Sequence, residues 1–365
     1  MKIQVTYSLL ICFLFFSCAS LHNKEHKPAE LSATSLQFYG RHLVNEKGSV
    51  ELISSGVHFG VMFEGTECRL FASIPNINGH NYLQYELDGV YQKRIKINGK
   101  EQQPLVIKTS KGKHTLWIYK ATEAHTGAIE VQKITGEGIS AIKKKPLPII
   151  EFIGNSITCG AAADASEVPC GTGEYHDQHN AYAAYGPRVA RALNSEFVLS
   201  SVSGIGAYRN WNSNGPTMPQ VYEKADFQNN SSRLWNFNSF TPQVVSIALG
   251  TNDYSNGDGR TVRAPFDSAL FVSSYIKFVG LVKEKYPAAR VALLSSPMMN
   301  GSRRIQLQNC LMAIKREVDA MYTKDKPVAL YYFKPMQARG CTGHPSVEDH
   351  ALLADELIPF FKSLL

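Results

Sequence analysis

The stretch PIIEFIGNSITCG, residues 148–160, runs apolar and β-rich and then breaks at Gly154-Asn155-Ser156. A serine at the end of a buried strand is suited to nucleophilic attack, provided that a neighbouring imidazole takes its proton. Three further segments supply complementary types. VSGIGAYRN carries Gly204 and Gly206, ALGTNDYS carries Asn252 and Asp253, and QARGCTGHPS carries His344. Asn252 offers an amide N–H where aspartate would offer only acceptors. Each residue has a structural alternative: Ser156 and Asn252 as helix caps, the glycines as turn formers, His344 as a surface histidine. Their order, each after its own strand, favours chemistry.

The elements that would position them follow from periodicity. Strand-like runs IIEFIG, EFVLSSV, QVVSIALG, RVALLSS and VALYYF alternate with helical stretches near 180–193, 267–286, 302–323 and 346–365. Near-continuous apolar strands between amphipathic helices predict a parallel five-stranded sheet covered on both faces, spanning 147–365. Ligands collect at the carboxyl ends of such strands. Upstream, over 34–142, the period is two: Val57, Phe59, Val61 and Phe63 alternate with His58, Gly60 and Met62. With turns such as Asp88-Gly89, this predicts an antiparallel β-sandwich. AIKKKPLP marks the boundary between the two.

Totals narrow the class. The 365 residues suggest two domains, and 44% hydrophobic with 19% charged residues is a folded composition, neither disordered nor membrane-spanning. A net charge of +7 without an arginine-rich run gives no support to a nucleic-acid partner. The N-terminal MKIQVTYSLLICFLFFSCAS has a lysine, an apolar run too short to span a bilayer, and Ser17 before Cys18. We read 1–17 as a signal peptide, Cys18 as a lipidated first residue and 18–33 as a tether, with cleavage to a soluble secreted enzyme as the alternative. Localisation would then be the periplasm or cell surface, with membrane contact only through the lipid. Export makes Cys159–Cys170 and Cys310–Cys341 candidate disulfides that clamp loops, with free buried thiols the alternative.

FIGNSIT, SGIGAYRN, LGTND and GHPS together resemble the four blocks of the SGNH (GDSL-type) hydrolases. The preceding sandwich, with EFIGNSITCG, LGTNDYS and GCTGHPS, is similar to carbohydrate esterase family 2, whose first domain is a jelly roll. The resemblance implies a serine esterase removing O-acetyl groups from acetylated xylan or glucomannan, with a preference for 6-O, and with no metal or organic cofactor. By position it implies Ser156 as nucleophile, His344 as base, and an oxyanion hole from the backbone N–H groups of Ser156 and Gly204 with the Asn252 amide. Two departures stand out. Asn155 replaces the usual aspartate before the serine, and no acid precedes His344, because positions 341 and 342 are cysteine and threonine. A Ser–His dyad is expected, with a backbone carbonyl or Thr342 fixing the ring. Glu348 and Asp349 lie on the following helix, and His350 is the alternative base.

Tyr208, Trp211 and Tyr254 flank the oxyanion residues and are candidates for stacking on sugar faces. Trp117 and Tyr119 of the first domain would bind glycan or meet the hydrolase domain. The rival classes are an inactive glycan-binding surface lipoprotein, favoured by the missing acid, and an SGNH lipase or thioesterase. The polar Asn210, Asn212 and Asn214 argue against the latter.

Overall fold

A computed structural model describes residues 29–100, 103–143, 146–260 and 262–365; the signal segment and Cys18 lie outside them. Nine antiparallel strands make the first domain: β1 (Ala29–Ser32), β2 (Phe38–Tyr39), β3 (His42–Val44), β4 (Val50–Leu52), β5 (His58–Ser73), β6 (His80–Leu87), β7 (Val90–Asn98), β8 (Leu105–Lys120) and β9 (Ile129–Ala141). The alternation legible in β5 buries Phe59, Val61 and Phe63 in the domain core with Leu116, Ile118 and Val131. The main strand order is β3-β4-β9-β5-β8-β6-β7, with β1 on β9 and β2 on β5. Register shifts in β5 between Gly65 and Glu67, and against β9, bend the long strands around that core. Residues 29–32, inside the stretch read as tether, are therefore part of the sheet.

The second domain holds β10 (Ile149–Gly154), α1 (Ser156–Cys159), α2 (Tyr185–Ala192), β11 (Glu196–Ser201), α3 (Met218–Val221), β12 (Val244–Ala248), α4 (Ser268–Lys285), β13 (Arg290–Leu294), α5 (Gly301–Met321), β14 (Ala329–Tyr331) and α6 (Val347–Lys362). Its strands are parallel in the order β11-β10-β12-β13-β14. The chain crosses from β11 over β10 to β12, so the switch point of this sheet lies at the ends of its three contiguous strands. Ser156, Gly204 and Asn252 follow those three strands. Among the described residues no helix is long and apolar enough to cross a membrane.

The cysteine pairing differs from expectation. Cys170 pairs with Cys341, and Cys159 and Cys310 are buried free thiols. Cys159 points into the domain interface, where its Sγ lies 3.2 Å from Ser201 Oγ, and Cys310 packs on the Tyr254 hydroxyl. Both are thus turned away from their expected partners. Trp117 and Tyr119 are also settled: they are buried against Phe152, Phe197 and Tyr185 of the hydrolase domain.

Candidate active site

β10 stops at Gly154 because the chain must turn tightly there. A Cβ on Gly154 would fall 2.0 Å from Thr158 Oγ1. Asn155 caps α1, its Oδ1 accepting the Ile157 N–H at 3.1 Å. Capping therefore falls to Asn155 and not to Ser156, which begins the helix, is 8% exposed and lines a cleft. An aspartate would cap equally well, so the departure at 155 leaves this turn intact.

Gly204 follows β11 with φ +74°, a conformation that strains other residues. The loop around it is held from three sides. The Ser203 N–H donates to Glu123 Oε2 at 2.6 Å, and Asn252 Nδ2 donates to the Ile205 carbonyl at 2.8 Å. The Asp253 carboxylate accepts the N–H groups of Ala207, Tyr208 and Arg209 at 3.0, 2.8 and 3.2 Å. Burial pushes the Asp253 carboxyl above its ordinary range, against those donors. Asn252 spends one amide hydrogen on Ile205 and keeps the other for the cleft, which it lines.

His344 arrives from the far side of the sheet. The segment after β14 returns to the residues behind α1, where the Cys341 and Val347 N–H groups donate to the Ala162 and Ala163 carbonyls at 2.8 and 3.1 Å. Thr342 sits in the left-handed region, φ +50°, with Oγ1 3.1 Å from His344 Nδ1. The Cys341 carbonyl accepts the His344 backbone N–H at 3.0 Å, which holds the residue in this turn. Glu348 is taken by Ser346 Oγ at 2.7 Å, and Asp349 by Arg339 Nε at 2.6 Å and the capping box of α6. Neither carboxylate reaches His344. Burial lowers its pKa, the Cys341 carbonyl opposing, so the ring is neutral at neutral pH. Nε2 faces the Tyr175 hydroxyl at 3.4 Å, which is also 3.3 Å from Ser203 Oγ. His350 lies off the cleft, fully buried: its Nδ1 accepts the Tyr185 N–H at 3.2 Å, and burial pushes its pKa down to about 3.

The cleft, of about 630 Å³, thus brings together Ser156, Gly204, Asn252, His344 and Trp211, the last 42% exposed. The other two aromatic candidates do not line it. Tyr254 is 4% exposed, stacked on Phe266 with centroids 3.6 Å apart, and Tyr208 packs on Phe266 and Phe271 while its hydroxyl accepts the Asp267 N–H. Both belong to the packing beneath the loop.

Residues not expected from the sequence come from the first domain and from the segment before α2. Glu123, just past β8, reaches under the Gly204 loop, and its Oε1 lies 3.6 Å from His179 Nε2. Burial alone would raise its pKa, but His179 and the Ser203 N–H overcome that and hold it at about 2. His125 and Tyr175 line the cleft itself. KATEAHTG reads as the polar end of a strand, and only the tertiary fold shows what it touches.

A parallel sheet in this order, with serine, glycine, asparagine and histidine around one cleft at its switch point, defines an SGNH-type hydrolase. Residues 38–146 match the carbohydrate esterase 2 N-terminal domain, and 152–325 match the GDSL-like lipase/acylhydrolase family. An acetylxylan esterase / glucomannan deacetylase of Cellvibrio japonicus is 25% identical over 100% of this chain and 99% of its own length. The cellulase/esterase CelE of Acetivibrio thermocellus is 29% identical over 90% of this chain and 39% of its own. A family two carbohydrate esterase from Clostridium thermocellum, solved with cellohexaose, superposes with a TM-score of 0.77 at 26% identity, covering 90% of this chain and 98% of that one. The chain belongs to the GDSL-type hydrolases in the two-domain form of carbohydrate esterase family 2, and it is a carbohydrate esterase.

Proposed function

We propose that this enzyme removes O-acetyl groups from plant polysaccharide, acetylated xylan or glucomannan, with the 6-O position preferred. The observation that carries the reading is the convergence of Ser156, Gly204, Asn252 and His344 on one cleft in a chain similar throughout to an acetylxylan esterase / glucomannan deacetylase. Ser156 Oγ attacks the acetyl carbonyl as His344 Nε2 takes its proton. The Ser156 and Gly204 N–H groups and the Asn252 amide receive the oxyanion, and the sugar hydroxyl leaves with the proton from His344. Water then attacks the acetyl-enzyme, His344 again acting as base. In this dyad Nδ1–H must donate, and Thr342 Oγ1, 3.1 Å away, supplies an acceptor where a triad would place a carboxylate. Trp211 is the ring offered to the sugar. Tyr175 occupies the Nε2 side of His344 and yields to substrate.

The test is acetate release from acetylated glucomannan and xylan. Wild type releases acetate, and Ser156→Ala loses about 10⁴-fold or more of that turnover while staying folded. Undiminished release by the variant removes Ser156 from the mechanism; no release by the folded wild type from any acetylated glycan leaves a glycan-binding role. Export as a lipoprotein through Cys18 is part of the same proposal. The Cys170–Cys341 disulfide supports passage to an oxidising compartment, and the mass of the mature N-terminus tests the lipid.

A further inference from the structure

Away from the cleft, two histidines and an aspartate meet where the domains touch. His80 opens β6, and His176 and Asp177 lie in the 3-10 turn Tyr175–Gln178. One potential ligand atom from each falls within 4.8 Å of the others. His80 Nε2 is 2.5 Å from Asp177 Oδ1, and the two imidazole rings are 4.5 Å apart.

An ion pair between domains would need only His80 and Asp177. His176 adds a second imidazole beside the first, which is unfavourable when both carry protons. Its Nε2 is buried without a hydrogen-bond partner among the described residues, while the His80 backbone lies beside the same ring. With the proton on Nδ1, the Nε2 lone pair is free; a metal-ligating histidine has such a tautomer, its second nitrogen donating to a carbonyl or carboxylate.

Asp177 is fixed as a ligand would be. Tyr82 donates its hydroxyl to Oδ1 at 2.9 Å, and the Glu174 N–H donates to Oδ2 at 2.8 Å. The nearby cation Arg94 is turned to the Asp177 and His179 carbonyls, with Glu167 3.5 Å from its Nε. The His80 side chain is 18% exposed, which gives an ion a way in and water a place beside it.

We propose that His80, His176 and Asp177 bind one divalent transition-metal ion of the zinc class, with water as fourth ligand, clasping the first domain to the turn that carries Tyr175. Two imidazoles and a carboxylate suit zinc, at bond lengths of about 2.0–2.2 Å. Tetrahedral ligands at that range stand roughly 3.3 Å apart, so the His80–Asp177 contact opens by under about 1 Å, within reach of side-chain rotation. The ion satisfies His176 Nε2 and joins both imidazoles and the carboxylate as ligands of one charge. The clasp is a structural site and stands independently of the esterase reaction.

The test uses the full chain stripped with a chelator and titrated with Zn²⁺ alone, read by calorimetry and thermal melting. Wild type takes up one ion per chain and its Tm rises. His80→Gln, which still hydrogen-bonds to Asp177, and His176→Ala each weaken binding by at least about tenfold and abolish the Tm rise; Tyr82→Phe weakens it by about tenfold. Co²⁺ in wild type gives the visible bands of a tetrahedral site, absent from both histidine variants. Failure of wild type to bind one ion overturns the proposal. So does Zn²⁺ binding of equal strength in His80→Gln and His176→Ala, which places the ion elsewhere. A lowered Tm in His80→Gln with the Zn²⁺ shift retained makes the pair a plain ionic tie and overturns it too.

Discussion

His344, the proposed base, has no carboxylate behind it, and its environment predicts how activity responds to pH. Burial holds its pKa below the ordinary histidine value, and the base must be neutral. The acid limb of kcat/KM is therefore expected below the usual histidine range, near 6.5, with activity retained into mildly acidic solution. Thr342→Asp tests the cause. Aspartate tolerates the left-handed backbone better than threonine, so φ +50° is no obstacle. A carboxylate beside Nδ1 stabilises the imidazolium. The acid limb then moves to higher pH while kcat rises by up to about 10-fold, a fraction of the 10⁴ seen where an orienting acid is lost outright. An unmoved limb in a folded variant would show that the side chain at 342 does not govern the ring. Glu123 tests the opposite wall of the site. It binds the Ser203 N–H directly before Gly204, so Glu123→Gln loosens the loop proposed to hold the oxyanion. Stability falls by about 1–3 kcal/mol and kcat drops more than KM rises, as steady-state kinetics on a soluble acetyl ester will show. An unchanged kcat with lowered Tm would reduce Glu123 to a structural residue.

Among the elements, the three contiguous strands β11, β10 and β12 carry the candidate residues just past their ends, and those were legible from apolar runs that stop at Gly154, Val202 and Gly250. The helical stretches were legible too, with α4 and α5 within two residues of their expected starts. What periodicity missed is the segment between α1 and α2. Expected helical from about 180, it holds no α-helix before Tyr185 and instead runs as turns that meet the His344 loop and the first domain. Its contacts depend on residues far apart in sequence, such as His80 with Asp177 and Cys170 with Cys341, and no local pattern encodes these. The disulfide shows the consequence. It closes a span of 171 residues and ties the segment bearing Tyr175 to the loop bearing His344. Cys170→Ser, or reduction of wild type, should lower stability by about 2–4 kcal/mol and cut kcat, because both loops lose their common anchor. Thermal melts and acetate release with and without reductant check this. Full activity after complete reduction would mean that the hydrogen bonds from Cys341 and Val347 to Ala162 and Ala163 suffice.

Across the whole molecule the first domain is a wall of the hydrolase and not an appendage. Trp117 and Tyr119, plausible from sequence as glycan platforms, are its seal. Buried polar contacts cross the same junction, His58 Nε2 lying 3.1 Å from Glu196 Oε2. Arg41, between β2 and β3, is completely buried and reaches beneath the parallel sheet. Its Nη1 donates to the Tyr222 and Lys224 carbonyls at 2.6 and 2.9 Å, its Nε to Ser200 Oγ at 3.1 Å, and its guanidinium lies over the rings of Phe227 and Tyr222. Glu151 on β10 stands 3.6 Å away, also buried, accepting from Ser200 and Tyr222. Removing one partner of such a pair strands the other charge in the interior, which costs about 3–5 kcal/mol, whereas removing both costs far less. Arg41→Met is thus expected to lower Tm steeply, and Arg41→Met with Glu151→Gln to recover part of the loss. Because Arg41 belongs to one domain and Glu151 to the other, calorimetry should show both domains unfolding in a single transition in wild type and in the double variant. Two separated transitions in wild type would mean that the domains are stable apart, and that Glu123 braces the Gly204 loop and His125 lines the cleft from a body able to leave them.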